Sequence, residues 1–418
     1  MAGKRSLTTL QLDSLLEYQD IDTLIKQLEP KHSPPTKPFL PNSKVTEHRT
    51  NRLWKAIGSA PHPDLLDEWT WNNLESFDGN IENFIGSTKL PLGIAGPLRV
   101  NGLYAQGDYP IPLATSEAAL VASYHRGACL ISSAGGCTSM MLYQALNRSP
   151  AFSFDSMRTA GQFVAWSMES FEAFQKEANA TTQHGKLVDV GTTIEGNHVY
   201  LNFEFTTGDA SGQNMVTIAT QAVCDYIKNS CPVPIQQLYV EGNLSGDKKA
   251  SSQAYTSVRG RKVTAEVVLT PALLDKYVHA TPRQLIDYWR MSAIGGVLSG
   301  TMGVQGHFAN GLAALYIATG QDAACVAESA MGVTRFEETP EGNLYASVTL
   351  PGVMVGTVGG GTGLPSQKAC LNLMGLHGSG NSAALAEVCA GLLLGGELSI
   401  IAALATGDFT KAHHKLAR

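Results

Sequence analysis

Three charged side chains lie at turns of the chain and have the types that proton transfer and oxyanion stabilisation require. Glu117 lies in A-T-S-E-A-A-L, where a carboxyl group held against an apolar wall would have a raised pKa and could donate a proton. The alternative is an acid in the first turn of a helix, with Thr115 or Ser116 as the N-cap. Lys248 follows a glycine-containing loop and could stabilise a developing oxyanion, although exposed lysines usually only solvate a surface.

The third charged side chain, Asp322, follows an apolar helical pattern and is flanked by alanines. We expect it to be desolvated, and because an unpaired buried carboxylate is costly, it should have a cationic or hydrogen-bonding partner. The alternative role of Asp322 is a structural cap.

His307 could equally be a core histidine whose hydrogen bonds are satisfied. The tail, which reads K-A-H-H-K-L-A-R over residues 411–418, would by itself be a frayed basic end.

Two turns are rich in small residues. Residues 207–215 read T-G-D-A-S-G-Q-N-M and lie between a strand-like run and a helix-like run, a setting in which backbone N–H groups can face an anion. The turn is not the dinucleotide fingerprint G-x-G-x-x-G. The alternative to anion binding is a polar strand–helix connection in which Asp209 or Asn214 caps the helix. Residues 359–363 read G-G-G-T-G, which is either a plain turn or a loop that a ligand can approach closely.

Composition limits the classes of protein that can carry these residues. A chain of 418 residues, 44% hydrophobic and 16% charged, is typical of a soluble globular protein with two or three domains. The net charge of −6 and the lack of a basic stripe argue against nucleic-acid binding. Seven scattered cysteines without C-x-x-C predict reduced thiols and a cytoplasmic setting, and we predict no metal site.

The elements that must position these residues can be outlined from periodicity. Residues 8–29 and 45–57 predict helices on either side of a proline-rich linker. Residues 155–240 alternate helix, strand, helix and strand, which predicts a compact α+β unit of ferredoxin-like size. Long helices of small residues follow from about residue 263. The apolar window 388–407 contains Glu397, so a buried helix is favoured over a membrane span.

Six segments together resemble the 3-hydroxy-3-methylglutaryl-coenzyme A (HMG-CoA) reductase family, from about residue 80 to the C-terminus. They are E-N-F-I-G at 82–86, P-L-G-I-A-G-P-L at 91–98, A-T-S-E at 114–117, D-K-K at 247–249, G-Q-D-A-A at 320–324 and G-T-V-G-G-G-T at 356–362. Each segment alone is moderately specific, but six in the same order and at similar spacing are highly specific. The D-K-K segment is nearer to the family's class I enzymes.

The resemblance implies an α+β fold in which a small ferredoxin-like, cofactor-binding domain interrupts a large substrate-binding domain. The implied boundaries are residues 1–80 for an N-terminal helical region, 81–154 and 241–418 for the large acyl-CoA domain, and 155–240 for the small NAD(P)-binding domain. Residues 409–418 would form a mobile lid. Active sites would lie between the subunits of a homodimer or larger oligomer, free of any membrane.

The family pattern also implies a cofactor loop, because residues 209–214 resemble D-A-M-G-x-N. The implied cofactor contacts are Asp209, Ser211, Gly212, Gln213, Asn214 and Arg418. Ser211 stands where the family usually has methionine. Arg418 falls where the family has an arginine near the cofactor 2′-phosphate, which favours NADPH over NADH.

The catalytic roles implied by the resemblance belong to a four-electron reduction of HMG-CoA to mevalonate and CoA. Lys248 would stabilise the oxyanion of a mevaldyl-CoA hemithioacetal, and Glu117 would donate a proton. Asp322 would join Glu117 and Lys248 in one coupled network. His413 would protonate the departing CoA thiolate.

The implied substrate contacts are Lys249, Arg290, Asn310 and His307, with Arg126 near the CoA phosphates and the glycines Gly360 and Gly361. Three positions depart from the family pattern. Ser153 replaces a basic residue, Glu241 replaces a serine and would repel a substrate carboxylate unless paired, and Cys129 replaces an arginine. The alternatives are therefore a paralogue that reduces, or oxidatively forms, a different acyl-CoA thioester, and a non-catalytic CoA- or nucleotide-binding protein.

Overall fold

The protein is represented by a computed structural model that describes residues 13–30 and 44–407. The described residues form two compact units. The first comprises those up to Leu74 together with Ile81–Gly86, and the second comprises Glu75–Asn80 and those from Ser87 onward.

The first unit is helical, with α1 (Ile21–Leu28), α2 (Glu47–Ile57) and α3 (Glu68–Asn72). The prediction of one helix over residues 8–29 is wrong for the described part, because the helix is interrupted between residues 16 and 21. Asp20 is the N-cap of α1, and its carboxylate accepts a hydrogen bond from Thr23 N at 2.8 Å. Trp54 of α2 is buried and donates its indole N–H to Ile85 O.

The second unit contains ten strands in one continuous sheet. The strands are β1 (Leu92–Gly102), β2 (Gln106–Ala114), β3 (Cys137–Arg148), β4 (Ala151–Ser153), β5 (Lys186–Glu195), β6 (His198–Thr206), β7 (Gln237–Tyr239), β8 (Gly260–Leu269), β9 (Val333–Glu338) and β10 (Leu344–Val353). The helices are α4 (Leu120–Ser133), α5 (Met157–Glu169), α6 (Phe171–Asn179), α7 (Gln213–Ser230), α8 (Pro271–Val278), α9 (Pro282–Ser299), α10 (Phe308–Thr319), α11 (Val326–Ser329), α12 (Pro365–Leu373) and α13 (Ser382–Thr406).

One part of the sheet has the ferredoxin-like arrangement. Its chain order is β4, α5 and α6, β5, β6, α7, β7, and its strands lie in the order β5-β6-β4-β7 with antiparallel neighbours. Strand β3 links this part to the rest, because its end pairs with β6 and its body pairs with β8. The predicted α+β class is confirmed. The region predicted as one helix after residue 155 is two helices, since the chain bends at Ser170.

Helix α13 forms the centre of the larger part. It contacts α4, α9, α10 and several strands, and 20 of its 25 residues are buried. It is long and apolar enough to cross a membrane, but 83% of its apolar window is buried inside the fold. Its length and composition therefore reflect a core position, as the sequence predicted.

Candidate active site

Glu117 lies in the short connection between β2 and α4. Thr115 Oγ1 accepts a hydrogen bond from Glu117 N at 3.0 Å. Helix α4 begins only at Leu120, after Ala119 in the left-handed conformation, and has no side-chain cap. Glu117 is therefore not an acid of the first helical turn, and its carboxylate is free to face a neighbouring element.

That neighbour is the start of α10. Asn310 Nδ2 lies 3.1 and 3.2 Å from the two carboxylate oxygens of Glu117. Both residues line a cavity of about 430 Å³, which we call the Glu117 pocket. Its wall consists mainly of small and aliphatic residues of α4 and α13, among them Leu120, Ile400 and Leu404, and His307 and Arg126 supply further polar groups.

His307 is mostly buried but reaches the Glu117 pocket. Its Nδ1 lies 3.3 Å from Glu397 Oε1, and its ring stacks on Tyr124 with the ring centroids 5.2 Å apart. His307 is thus held by core groups and still lines a cavity. The two alternatives weighed from the sequence, a core histidine and a site residue, are both compatible with its position.

Two predicted substrate-binding arginines differ in placement. Arg126 lies in the Glu117 pocket, where its Nη2 donates to the carbonyl oxygen of Ser399 at 2.9 Å. Arg290 lies on an exposed face of α9, 3.7 Å from Asp287, and does not line that pocket. Cys129 lies one turn after His125, with its sulfur 3.5 Å from the imidazole Nε2.

Lys248 lies at the far end of α10 from Glu117. Its backbone adopts a left-handed conformation (φ 56°), and its Nζ lies 2.9 Å from Asp322 Oδ2. This hydrogen bond is the main reason that the pKa of Lys248 is raised above its ordinary value. Asp322 also accepts from Ala324 N, so it is both an ion-pair partner and a cap. The prediction that Asp322 is desolvated is wrong, because 40% of its side chain is exposed.

A buried charge network lies under Lys248. The Asp247 carboxylate accepts hydrogen bonds from Arg259 at 2.5 Å and from Arg148 at 3.1 Å. Burial alone would raise the pKa of Asp247, but the two guanidinium groups outweigh burial and hold it below its ordinary value. Arg148 also pairs with Glu241 at 3.3 Å, so the carboxylate that would repel a substrate carboxylate has a cationic partner. Glu328 pairs with Arg259.

Two other predicted positions flank this network. Lys249 donates its Nζ to Asp247 O at 2.9 Å, which curls its side chain back onto the loop. Ser153, at the end of β4, is buried and pairs with β6 and β7.

The turn at residues 209–214 opens α7. Gly212 occupies the N-cap of α7 in the left-handed conformation, and this N-cap makes no side-chain hydrogen bond to the first N–H groups of the helix. The Asp209 carboxylate accepts from Gly380 N and from Ser382 N and Oγ, at the start of α13. Burial opposes these bonds, yet together they lower the pKa of Asp209. Asp209 therefore anchors the turn on α13 instead of capping α7.

The glycine-rich loop at residues 356–362 packs against this turn. A Cβ placed on Gly356 would lie 2.6 Å from Ser211 N, so only glycine allows so close an approach. The side-chain amide of Gln321 donates to Gly356 O at 3.0 Å and accepts from Gly356 N at 2.8 Å. Gly361 in turn packs on the backbone of Gly320. We call Lys248, Asp322, the turn at residues 209–214 and the glycine-rich loop at residues 356–362 the Lys248 cluster.

The Glu117 pocket and the Lys248 cluster lie at opposite ends of α10. About 14 Å of helix separates Asn310, the partner of Glu117, from Thr319, the last residue before the Asp322 loop. Asp322 is paired with Lys248 as predicted, but within the described residues of one chain Glu117 bonds to Asn310 and not to Asp322. His413, Arg418 and the predicted lid over residues 409–418 lie outside the described residues.

Sequence reasoning missed several residues that hold these groups. They are Tyr124, Arg148, Arg259, Gln321 and Glu397. Glu397 left a signal, because a glutamate inside a long apolar window requires buried hydrogen-bond donors. The arginines left no signal, since their partners are distant in sequence.

The chain matches the protein family described as hydroxymethylglutaryl-coenzyme A reductase over residues 48–418, which begins earlier than the six motifs indicated. The 3-hydroxy-3-methylglutaryl-coenzyme A reductase of Pyrococcus horikoshii is 40% identical over 382 residues, which cover 90% of this chain and 92% of that protein. The protein of the same name from Methanocaldococcus jannaschii is 42% identical, over 81% of this chain and 85% of that protein.

A solved structure has the same fold. The class II 3-hydroxy-3-methylglutaryl-CoA reductase of Streptococcus pneumoniae, bound to NADPH, superimposes with a TM-score of 0.60 at 18% identity, covering 96% of this chain and 98% of that one. From the family match and the archaeal relatives, the chain belongs to the hydroxymethylglutaryl-coenzyme A reductase family.

Proposed function

We propose that the protein reduces HMG-CoA to mevalonate and CoA with NADPH, in two hydride transfers through a hemithioacetal and an aldehyde. The observation that carries the proposal is the 2.9 Å contact between Lys248 Nζ and Asp322 Oδ2. It places a cation beside the Asp322 loop, whose Gln321 and Gly320 contact the glycine-rich loop, which in turn contacts the turn at 209–214. Four motifs of the family are thus linked by successive contacts that begin at Lys248.

Lys248 suits the stabilisation of an oxyanion. Its raised pKa keeps the ammonium group protonated at neutral pH, and its exposed fraction of 42% leaves it open to a ligand. In this proposal Glu117 donates a proton, since it lines a largely apolar cavity and Asn310 fixes its orientation. In this proposal His413 protonates the leaving thiolate.

The residues of the 209–214 turn fit a nicotinamide dinucleotide. The uncapped first turn of α7 can receive a phosphate, and Gly356 lets the glycine-rich loop approach the same place. Ser211, Gly212, Gln213 and Asn214 would contact the cofactor, Gly360 and Gly361 would border it, and Arg418 would favour NADPH. Asp209 would act by anchoring the turn on α13. When bound, the nicotinamide supplies the hydrides.

The active form in this proposal is a homodimer or larger oligomer in the cytoplasm, with Glu117 of one subunit facing the Lys248 cluster of another. Two observations support it. First, α10 separates the two groups within one chain. Second, the end of α9 exposes an apolar face formed by Met291, Ile294, Val297 and Leu298, between 63% and 83% exposed. Such a face is typical of a subunit interface, and a second copy of this chain would cover it. Arg290 lies beside Met291 and would enter the shared site with Lys249.

A second candidate function is the reduction of a different acyl-CoA thioester. It is favoured by the loss of a basic side chain at Ser153 and by Glu241, whose pairing with Arg148 uses up a cation that could otherwise bind a substrate carboxylate. The two candidates share their chemistry and differ only in the group at the far end of the acyl chain.

Steady-state kinetics separates the candidates. HMG-CoA, acetyl-CoA and succinyl-CoA are assayed with NADPH and with NADH, by loss of absorbance at the nicotinamide band. The first proposal expects HMG-CoA with NADPH to have the highest kcat/KM, and Lys248→Ala to lower kcat about 10²- to 10³-fold. Lys276→Ala, a lysine over Tyr277 on α8, is the matched control and should leave kcat unchanged. Lack of turnover with HMG-CoA would refute the first proposal.

A further inference from the structure

We propose that Glu397 is a positioning residue for the reaction, because it fixes His307 in the tautomer and orientation that present Nε2 to the Glu117 pocket. There Nε2 would accept a hydrogen bond from an O–H or N–H group of the bound acyl-CoA. The proposal rests on the proposed reductase function for its kinetic consequences, but the structural part of it can be tested without turnover.

Glu397 is completely buried in the middle of α13, yet its carboxylate has a full set of donors. Oε2 accepts from Gly306 N at 2.6 Å and from Thr334 Oγ1 at 2.8 Å. Oε1 accepts from His307 N at 2.9 Å and lies 3.3 Å from His307 Nδ1. Every partner of known polarity is a donor, so both carboxylate oxygens serve as hydrogen-bond acceptors.

The carboxylate therefore decides which nitrogen of His307 carries the proton. A neutral imidazole has one N–H and one lone pair, and a carboxylate beside Nδ1 requires the N–H on that side. Nε2 is then left with the lone pair. Because Nδ1 is turned to Glu397 and the ring lines the Glu117 pocket, Nε2 is the nitrogen available to an occupant.

The orientation of the ring is fixed from a second side. The rings of Tyr124 and His307 are nearly parallel, at 13°, and the Tyr124 hydroxyl donates to His307 O at 3.3 Å. The same segment contains Asn310, which holds Glu117. Glu397 thus sets the geometry of the segment that carries two of the polar groups of the pocket, and it does so without touching the occupant itself.

Helix α13 supplies an internal control for this role. Glu387, ten residues earlier on the same helix, is also completely buried. Its carboxylate accepts from the backbone N–H groups of Leu103, Tyr104, Ala105 and Met141. Both glutamates therefore accept hydrogen bonds from buried backbone N–H groups. Of the two, Glu397 also faces a histidine in the described residues, and Glu387 does not.

The kinetic experiment compares Glu397→Gln with Glu387→Gln in the oligomeric enzyme. Either orientation of the new amide sets an NH₂ group against backbone donors, so both variants should lose similar thermal stability. We expect Glu397→Gln to lower kcat about 10- to 100-fold with a smaller change in KM, and Glu387→Gln to lower kcat less than threefold. Equal losses of kcat in the two variants would overturn the proposal.

A double-mutant cycle shows whether Glu397 acts through His307. His307→Gln alone should lower kcat, and adding Glu397→Gln in that background should lower it little further. If the two losses of kcat multiplied fully in the double variant, Glu397 would act independently of His307, and the positioning role would be wrong.

The tautomer can be measured in the unmodified protein, and a variant is needed only to assign the resonances. With ¹⁵N-labelled histidine, the His307 resonances, assigned by their loss in His307→Gln, should show a protonated Nδ1 and an unprotonated Nε2 at pH 8. A protonated Nε2 would overturn the proposal even in an active enzyme. Lack of HMG-CoA turnover, by contrast, would refute the proposed function and leave this result intact.

Discussion

The Glu117 pocket and the Lys248 cluster, which would carry complementary halves of the proposed chemistry, are built differently. The pocket is an apolar cavity between helices, and Glu397, which lies behind the pocket residue His307, is completely buried. The cluster is assembled from loops, and its Lys248–Asp322 pair is about 40% exposed above a buried network of arginines and acids. An apolar, helix-lined cavity suits the binding of an acyl chain, whereas exposed loops bring charges to a place that a cofactor must enter.

The Glu117 pocket and the Lys248 cluster are also separated by the length of a helix. One 12-residue helix, α10, carries Asn310 in its first turn and is followed by Asp322 at its other end. A rigid helix cannot bring its two ends together, so the proposed reaction, in which both Glu117 and Lys248 act, would use two copies of the chain.

The largest expected effect tests that division directly. Glu117→Gln and Lys248→Ala should each inactivate the enzyme. A co-purified heterodimer of the two variants, isolated with two different affinity tags, should regain about half of the wild-type activity, because one of its two sites has both native residues. The gain over either parent is about 10²- to 10³-fold.

The control for complementation is a heterodimer of Glu117→Gln with a Glu117→Gln chain that also carries Lys248→Ala, which has no intact site. It should remain inactive. If the first heterodimer were equally inactive, each site would lie within one chain and the interface proposal would be wrong.

The next effect concerns stability at the cluster. Asp247→Asn leaves Arg148 and Arg259 without their shared carboxylate, and should lower the free energy of unfolding by about 3 kcal/mol. Asp287→Asn, which breaks only exposed pairs on α9, should cost less than about 1 kcal/mol. Urea denaturation at pH 7 measures both, and equal losses would show that the buried network does not support the loop.

The same variant has a defined pH dependence. Because the folded state lowers the pKa of Asp247 below its ordinary value of 3.8, the carboxylate stabilises the fold above that pH. Its contribution should disappear as the pH falls from 3.8 through the folded-state pKa. The difference in unfolding free energy between wild type and Asp247→Asn should therefore be full at pH 7 and shrink below pH 3.8.

The comparison also explains what the sequence could predict. Collinear motifs identified the family, and periodicity predicted the α+β class and the buried helix α13, because these signals are local. The predicted site residues of both regions, such as Glu117 and Lys248, were named from the motifs. Their separation was not predicted, since a list of motifs contains no distance: Asp322 was expected to reach Glu117, and only the length of α10 shows that it does not within one chain.

Local chemistry was harder to predict where a long-range partner decides it. Glu117 was weighed as an acid in the first turn of a helix, but the helix begins only at Leu120, after a left-handed Ala119. Glu241 looked repulsive until its partner Arg148, 93 residues away, was known. Asp322 was expected to be desolvated because alanines flank it, although its exposure depends on loops distant in sequence.

A smaller effect should separate cofactor binding from acyl-CoA binding. Gly356→Ala brings a methyl group to 2.6 Å from Ser211 N, where backbone must shift. We expect the KM for NADPH to rise about 10-fold while the KM for the acyl-CoA changes less than twofold, because the Glu117 pocket is remote. Gly363→Ala lies directly after the same loop, where the added methyl group has open space, and it should change neither KM. A rise confined to the acyl-CoA KM would assign the loop to the wrong ligand.

The smallest effect concerns the charge state of Lys248. The hydrogen bond and charge of Asp322 raise the pKa of Lys248 above its ordinary value of 10.5, so the ammonium group persists up to and beyond that pH. In Asp322→Asn the hydrogen bond to the carboxylate and its charge, which raise the pKa of Lys248, are lost, while burial, which lowers that pKa, remains. The alkaline limb of kcat/KM should then move to lower pH, by roughly half a pH unit because the pair is partly exposed. Profiles measured between pH 7 and 11 test this shift. Coincident alkaline limbs would mean that Asp322 does not control the protonation of Lys248 in the active enzyme, whereas a shift to lower pH would mean that the Lys248–Asp322 pair is kept there.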